Sequence, residues 1–199
     1  MDSSDPQTTN SIRSPLSSIA YNSSMITASK RDVFLSTYCR QKFTFPGSMM
    51  HYIAKNPKNS KGYQKMVKSC KYFFVKNPIL ILSDLRYTQN GWKTYDNKTW
   101  KSIDIDRISC KLWITDKHEV VPTNDSNNYI ASSIIAKIYQ CDFKYLFLSN
   151  QFISLHELIF LCSSVEALHF SIVNVKNDDG TVVSFDKLIE QLPNVKKVI

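Results

Sequence analysis

Histidine, cysteine and paired carboxylates are the side chains able to move protons, hold metals or attack a substrate near neutral pH. This chain scatters them. His51 falls on an expected helix, His118 in an expected loop, His156 in the first turn of a helix and His169 in a strand. No His-x-x-x-His pair, no Cys/His cluster and no Gly-x-Ser-x-Gly occurs, so zinc and esterase chemistry have no frame to build on. Cys39, Cys70, Cys110, Cys141 and Cys162 form no Cys-x-x-Cys pair and are odd in number. Reduced, buried thiols fit this better than a disulfide scaffold, which places the protein in the cytoplasm or nucleus. Asp104 and Asp106 alternate with Ile103 and Ile105, as on a solvated strand face, and Asp178-Asp179-Gly180 reads as a turn. His156 beside Glu157 reads as a surface pair. The expectation is a protein with no catalytic set, no metal ligands and no cofactor, hence no enzyme.

The remaining chemistry is electrostatic. The 199 residues carry 25 Lys and Arg against 17 Asp and Glu, for a formal charge of +8. Nine of the basic residues lie between Val33 and Ser83, where there is no acidic residue at all. The excess therefore belongs to one segment, whose field attracts an acidic protein, a nucleic acid or an anionic lipid. Eight of the nine are Lys, which supply diffuse charge without the bidentate fork that reads bases. A basic nucleic-acid-associated protein using residues 40–76 is accordingly the second reading, and nucleic acid is the less favoured partner. The composition, 43% hydrophobic and 21% charged, is that of a globular chain. The apolar stretch Tyr145 to Phe170 is broken by Asn150, Gln151, His156, Glu157 and Glu166, so no membrane span is expected.

The elements that position these residues divide the chain into four parts. Residues 1–42, rich in Ser, Thr and Asn, are expected to be a disordered arm. Residues 43–77 read as a small helical module. Phe45-Pro46 enters it in extended form, Ser48 is the expected cap of a first helix, and Asn56-Pro57 stops that helix. A second helix over roughly Lys61 to Val75 aligns Tyr63, Met66, Val67, Cys70, Phe73 and Phe74 on one stripe. Lys61, Lys65, Lys68 and Lys71 fall on its other side. Residues 78–127 are a β-rich connecting segment in which Ile79–Leu82 is a buried strand and Asn90-Gly91 a hairpin turn. Trp92, Trp100 and Trp113 are read there as packing residues.

From residue 128 to 199 helices and strands alternate. Tyr129–Tyr139 is expected to be a helix, Ser154-x-x-Glu157 is a capping box opening a helix over Leu155–Cys162, and Ser184 opens a third over Phe185–Gln191. Short strands follow each, at Lys144–Leu148, Glu166–Phe170 and Lys196–Ile199. Phe143-x-x-Leu146-x-Leu148 matches Val165-x-x-Leu168-x-Phe170 and Val195-x-x-Val198, and Ser109-x-x-Leu112-x-Ile114 reads as a degenerate earlier copy. Such spacing is that of a leucine-rich-type solenoid with parallel strands; a plain α/β sheet without repeat logic is the alternative.

Phe45-Pro46, Met49-Met50, Ile53 and then Met66-Val-Lys-Ser-Cys-Lys-Tyr-Phe73 resemble the F-box. The longer string from Phe45 to Asn77, followed by a leucine-rich-like region, is similar to the F-box-like proteins of nematodes. Phe45 stands where the family has Leu, and Asn56-Pro57 where an aliphatic residue normally closes the first helix. The resemblance covers about residues 43–199 and implies an F-box-like helical module followed by a leucine-rich-like region. With the disordered arm and β-rich linker read above, the expected fold is α/β and ends in a short leucine-rich-like solenoid. It implies a substrate-recognition adaptor of a Skp–cullin–F-box-type ubiquitin ligase. Phe45, Pro46, Met49, Ile53, Met66, Cys70 and Phe73 would bind the Skp-type linker protein, with Lys61, Lys65, Lys68 and Lys71 answering its acidic charge. The repeats would hold an unknown target protein.

Overall fold

A computed structural model describes residues 32, 33, 36, 37, 42–96, 98–122 and 127–199. The chain divides into a unit over residues 1–37 and a larger one over residues 38–199. The first is represented by Asp32, Val33, Ser36 and Thr37, where the Ser36 hydroxyl donates to the Val33 carbonyl at 2.8 Å. Apart from these and Lys42, the expected arm over 1–42 lies outside the described residues.

The larger unit begins with three helices, α1 (Gly47–Lys55), α2 (Ser60–Ser69) and α3 (Lys71–Lys76). Helix α1 starts at Gly47 behind Pro46, so Ser48 lies inside it and is not its cap. Asn59 caps α2, its side chain accepting the Gly62 amide at 2.7 Å. The single helix expected over Lys61–Val75 is instead two. Cys70 is extended, at φ −155° and ψ 123°, and its sulfur accepts the Tyr72 amide to cap α3. This corner folds the apolar stripe back on itself. Met50, Ala54, Cys70 and Phe73 are buried together, with Phe43, Met66, Val67 and Tyr72 packed around them.

One eight-stranded sheet makes up the rest. Strands β1 (Ile79–Thr88), β4 (Lys111–Val120), β6 (Tyr145–Ser154), β7 (Ala167–Lys176) and β8 (Lys197–Val198) are parallel neighbours in that order. β2 (Gly91–Asp96) and β3 (Thr99–Ser102) extend the β1 edge as antiparallel strands. β5 (Ile138–Cys141) pairs with the first half of β4, and β6 with its second half. Helices α4 (Ile130–Ile135), α5 (Leu155–Leu161) and α6 (Phe185–Glu190) lie in the connections. The β1–β4 ladder shifts register between Leu82 and Asp84, and β6 continues the sheet from Lys117–Val120 of β4.

The core lies along one side of this sheet, with Leu82, Leu85, Leu112, Ile114, Leu146, Leu148 and Leu168 meeting Leu158, Leu161 and Leu188 from the helices. Alternation sets that choice within each regular stretch, and the irregularity between Leu82 and Asp84 returns Leu85 to the core side. The capping box forms as read: Ser154 accepts the Glu157 amide, and the Glu157 carboxylate accepts the Ser154 amide. Ser184 stands at the start of α6 without a side-chain cap. The expected helix over Tyr129–Tyr139 ends at Ile135, because Ile138–Cys141 joins β4 as a strand. Strands β6 and β7 run twice the expected length. Each passes a residue with positive φ, Asn150 at 50° and Ile172 at 57°, in directly opposed positions. Ile103–Asp106 is a loop and turn, not the alternating strand expected. No described helix is long and apolar enough to cross a membrane.

Candidate functional site

Helix α1 presents an apolar stripe to solvent. Phe45 is 60% exposed, Met49 49% and Ile53 37%, with Tyr52 beside them, while Met50 and Ala54 on the reverse side are buried. A helix of alternating faces has one face for its own core and one for something else. The sequence-derived set therefore divides. Phe45, Pro46, Met49 and Ile53 are exposed, whereas Cys70 and Phe73 are buried and Met66 partly so. Burial leaves Cys70 and Phe73 no surface to offer a partner; they hold α1 in place instead. Lys61, Lys65 and Lys68 are exposed on α2, and Lys71 sits half-buried on α3 beyond the corner.

The module is fastened to the sheet. Tyr63 of α2 is buried against Ile79 of β1 and Trp113 of β4. Its hydroxyl donates to the Asn77 carbonyl, and the Asn77 amide donates to Ala54 of α1 at 3.1 Å. Burial pushes the Tyr63 phenol up to about 12. Trp113 donates to Asp142 at 2.6 Å, so all three helices and the first strands share one polar and apolar joint.

On the side of the sheet away from the core, register aligns side chains in transverse rows. Lys93, Arg86, Glu119, Phe147 and His169 are successive cross-strand partners on β2, β1, β4, β6 and β7. Asp84, Lys117, Tyr145, Ala167 and Lys197 form a second row. Arg86 pairs with Glu119 and also stacks over Trp100, 4.5 Å from its ring centre. Lys117 lies 5.7 Å from the Tyr145 ring, and the rings of Phe147 and His169 are 4.3 Å apart. A groove of about 780 Å³ opens where this face meets the start of α2, between Ser60, Lys61, Ser83, Tyr95, Thr115 and Asp116.

The histidines stay apart, but two stand differently from the sequence reading. His118 is a fully buried strand residue, not a loop residue. His156 pairs with Asp178 at 3.1 Å rather than with Glu157, which is held by Ser132 and Ser154. Among the described residues no three of His, Cys, Asp and Glu are grouped to hold a metal. Cys141 and Cys162 are buried thiols pushed up to about 12 by desolvation, the state least suited to nucleophilic attack. Trp92 and Trp113 pack as expected, while Trp100 is 42% exposed. The transverse rows escaped sequence reading altogether, since cross-strand neighbours carry no local signal. The chain matches no family model, no curated protein and no solved structure.

Proposed function

We propose that this chain is a substrate-recognition adaptor of a Skp–cullin–F-box-type ubiquitin ligase. The helical module binds the Skp-type linker protein and the sheet-forming region holds a target. The observation that carries this reading is the apolar stripe of Met49 and Ile53 on α1, continued by Phe45 just ahead of its Pro46 cap, exposed while the other face of the helix is already packed. Large apolar side chains kept in water on one face are the usual anchors of a protein interface. Lys61, Lys65 and Lys68 nearby would steer an acidic partner.

The strand order supports a leucine-rich-like solenoid for the remainder. β1, β4, β6, β7 and β8 succeed one another without reversal. With right-handed crossovers, that order puts every connection on the same face. Repeat-equivalent positions are stitched by charge: Glu166 bridges Lys144 at 3.1 Å and Lys196 at 2.7 Å. The bridging lysines, Lys196 foremost, hold the Glu166 carboxyl below its ordinary range. The Tyr63 joint would keep linker-binding and target-binding surfaces in a fixed relation, as an adaptor requires.

Co-purification of the full chain with a Skp-type linker protein tests the proposal. Binding is expected, with loss on Phe45→Ala combined with Pro46→Ala and no loss on Cys70→Ser. Absence of binding at micromolar concentration overturns it. So does salt-dependent DNA or RNA binding that survives the Phe45 change and disappears when Lys61, Lys65 and Lys68 are reversed.

A further inference from the structure

Parallel sheets ordinarily bury both faces beneath their crossovers. Here Leu85, Leu146 and Leu168 are fully buried on one side, while their strand neighbours Arg86, Phe147 and His169 stay half-exposed on the other. α2 covers only the start of this second face, through Tyr63 on Ile79 and Trp113. Beyond it, the rows present the Tyr145, Phe147 and His169 rings, with Tyr95 and Trp100 at 5.3 Å from each other along the edge. Lys93, Lys117 and Lys197 stand among these rings. The acidic residues in the rows are Asp84 and Glu119, and Glu119 is almost buried and neutralised by Arg86. The face offered to solvent is thus aromatic with a positive balance.

We infer that this sheet face binds an extended segment of a partner protein carrying alternating acidic and aromatic side chains. The inference rests on the adaptor reading for the idea that the sheet region holds a target; the chemistry of that target comes from the rows themselves. A row of five strands spans about 19 Å, which about six extended residues cover. Carboxylates of such a segment meet Lys93, Lys117 and Lys197, and its rings lie over Tyr145, Phe147 and His169. Charge complementarity selects acidic over basic segments. Single-stranded nucleic acid fits less well. The sole guanidinium in the rows is held by Glu119, and the Phe147 and His169 planes are inclined by 46° instead of forming a flat stacking platform.

Fluorescence anisotropy of the full chain with a labelled peptide of alternating Glu and Tyr tests this, beside a Lys/Tyr peptide and an oligothymidylate of similar length. The Glu/Tyr peptide is expected to bind, with roughly tenfold loss on Lys117→Glu and on Phe147→Ala. Circular dichroism identifies a variant that has unfolded; Lys117→Ala, altering an exposed position, is expected to show a smaller loss of the same kind. Phe45→Asp is expected to leave peptide binding unchanged, so failure to bind the linker protein and failure here are separate results. Peptide binding unaffected by Lys117→Glu and Phe147→Ala overturns the inference. Equal binding of the Lys/Tyr peptide, tighter binding of the oligothymidylate, or no binding of any probe does so too.

Discussion

His118 lies parallel to Trp92, with ring centres 5.9 Å apart and planes inclined by 12°, inside the hydrophobic core. Phe143 closes the other side at 5.5 Å. Nδ1 is 3.1 Å from the Leu85 carbonyl oxygen, which assigns the proton to Nδ1, and Nε2 has no partner. A charged imidazolium has no compensating anion in such a place, and desolvation lowers its pKa from 6.5 to about 4.

Stability should therefore depend on pH in a defined window. Above pH 6.5 the histidine is neutral in both folded and unfolded chains, and its stabilising contribution is fully present. As pH falls from 6.5 towards about 4, only the unfolded chain takes up the proton, so the contribution is lost. The loss integrates to about 3 kcal/mol. Urea midpoints across this window, followed by tryptophan fluorescence, should show the slope in the native sequence and a flatter one in His118→Phe. Equal slopes would show that His118 is not the titrating group.

Gln151 is buried at a strand irregularity, where a hydrocarbon would be the usual occupant. Its Oε1 accepts the Ala131 amide at 2.9 Å, and its Nε2 donates to the Asn127 and Asn150 carbonyls at 3.1 and 2.7 Å. Gln151→Leu keeps the size and strands those backbone groups without partners, at a cost of about 3 kcal/mol. Denaturant titration measures this, and a change below about 1 kcal/mol would mean water replaces the side chain.

Tyr63→Ala should open a cavity between α2 and the β1–β4 ladder and cost about 4 kcal/mol. Because Tyr63 also holds the carbonyl of Asn77, whose side chain bonds Ala54 of α1, the helices should then unfold separately from the sheet. Helical ellipticity and tryptophan fluorescence should give one shared transition in the native chain and two in the variant. Coincident transitions in the variant would argue against a single joint.

Ile172 is 76% exposed and holds φ at 57°, where a β-branched residue is strained. Asn150, opposite it on β6, adopts the same backbone with a side chain that tolerates it. Ile172→Asn should therefore raise stability by about 1 kcal/mol. A lower melting temperature in the variant would mean that the isoleucine makes apolar contacts worth more than the strain.

Much of the local structure was legible in the residues. The Ser154–Glu157 capping box, the Asn90-Gly91 turn, the stop at Asn56-Pro57 and the extended Leu-x-Leu segments all depend on neighbours a few positions away. The stripe over Tyr63–Phe74 showed that a helical module exists, but not the corner at Cys70. That corner forms because α3 must turn to pack on α1, a preference that no helical periodicity contains. The candidate site was legible by half: the exposed Phe45, Met49 and Ile53 were singled out, but so were Cys70 and Phe73. Periodicity marks an apolar face without saying whether the chain itself covers it.

From its amino-acid order alone this protein owes its lysine-rich helical segment and its alternation of strands with helices, because charge and short-range hydrophobic spacing travel with the chain. Packing decided the rest. It drew β1 and β4 into the same ladder as β6 and β7, sank His118 between Trp92 and Phe143, and lined up Arg86, Glu119, Phe147 and His169 across four strands. Those residues become neighbours only when the register is set, and a shift of one position would turn every one of them to the opposite face.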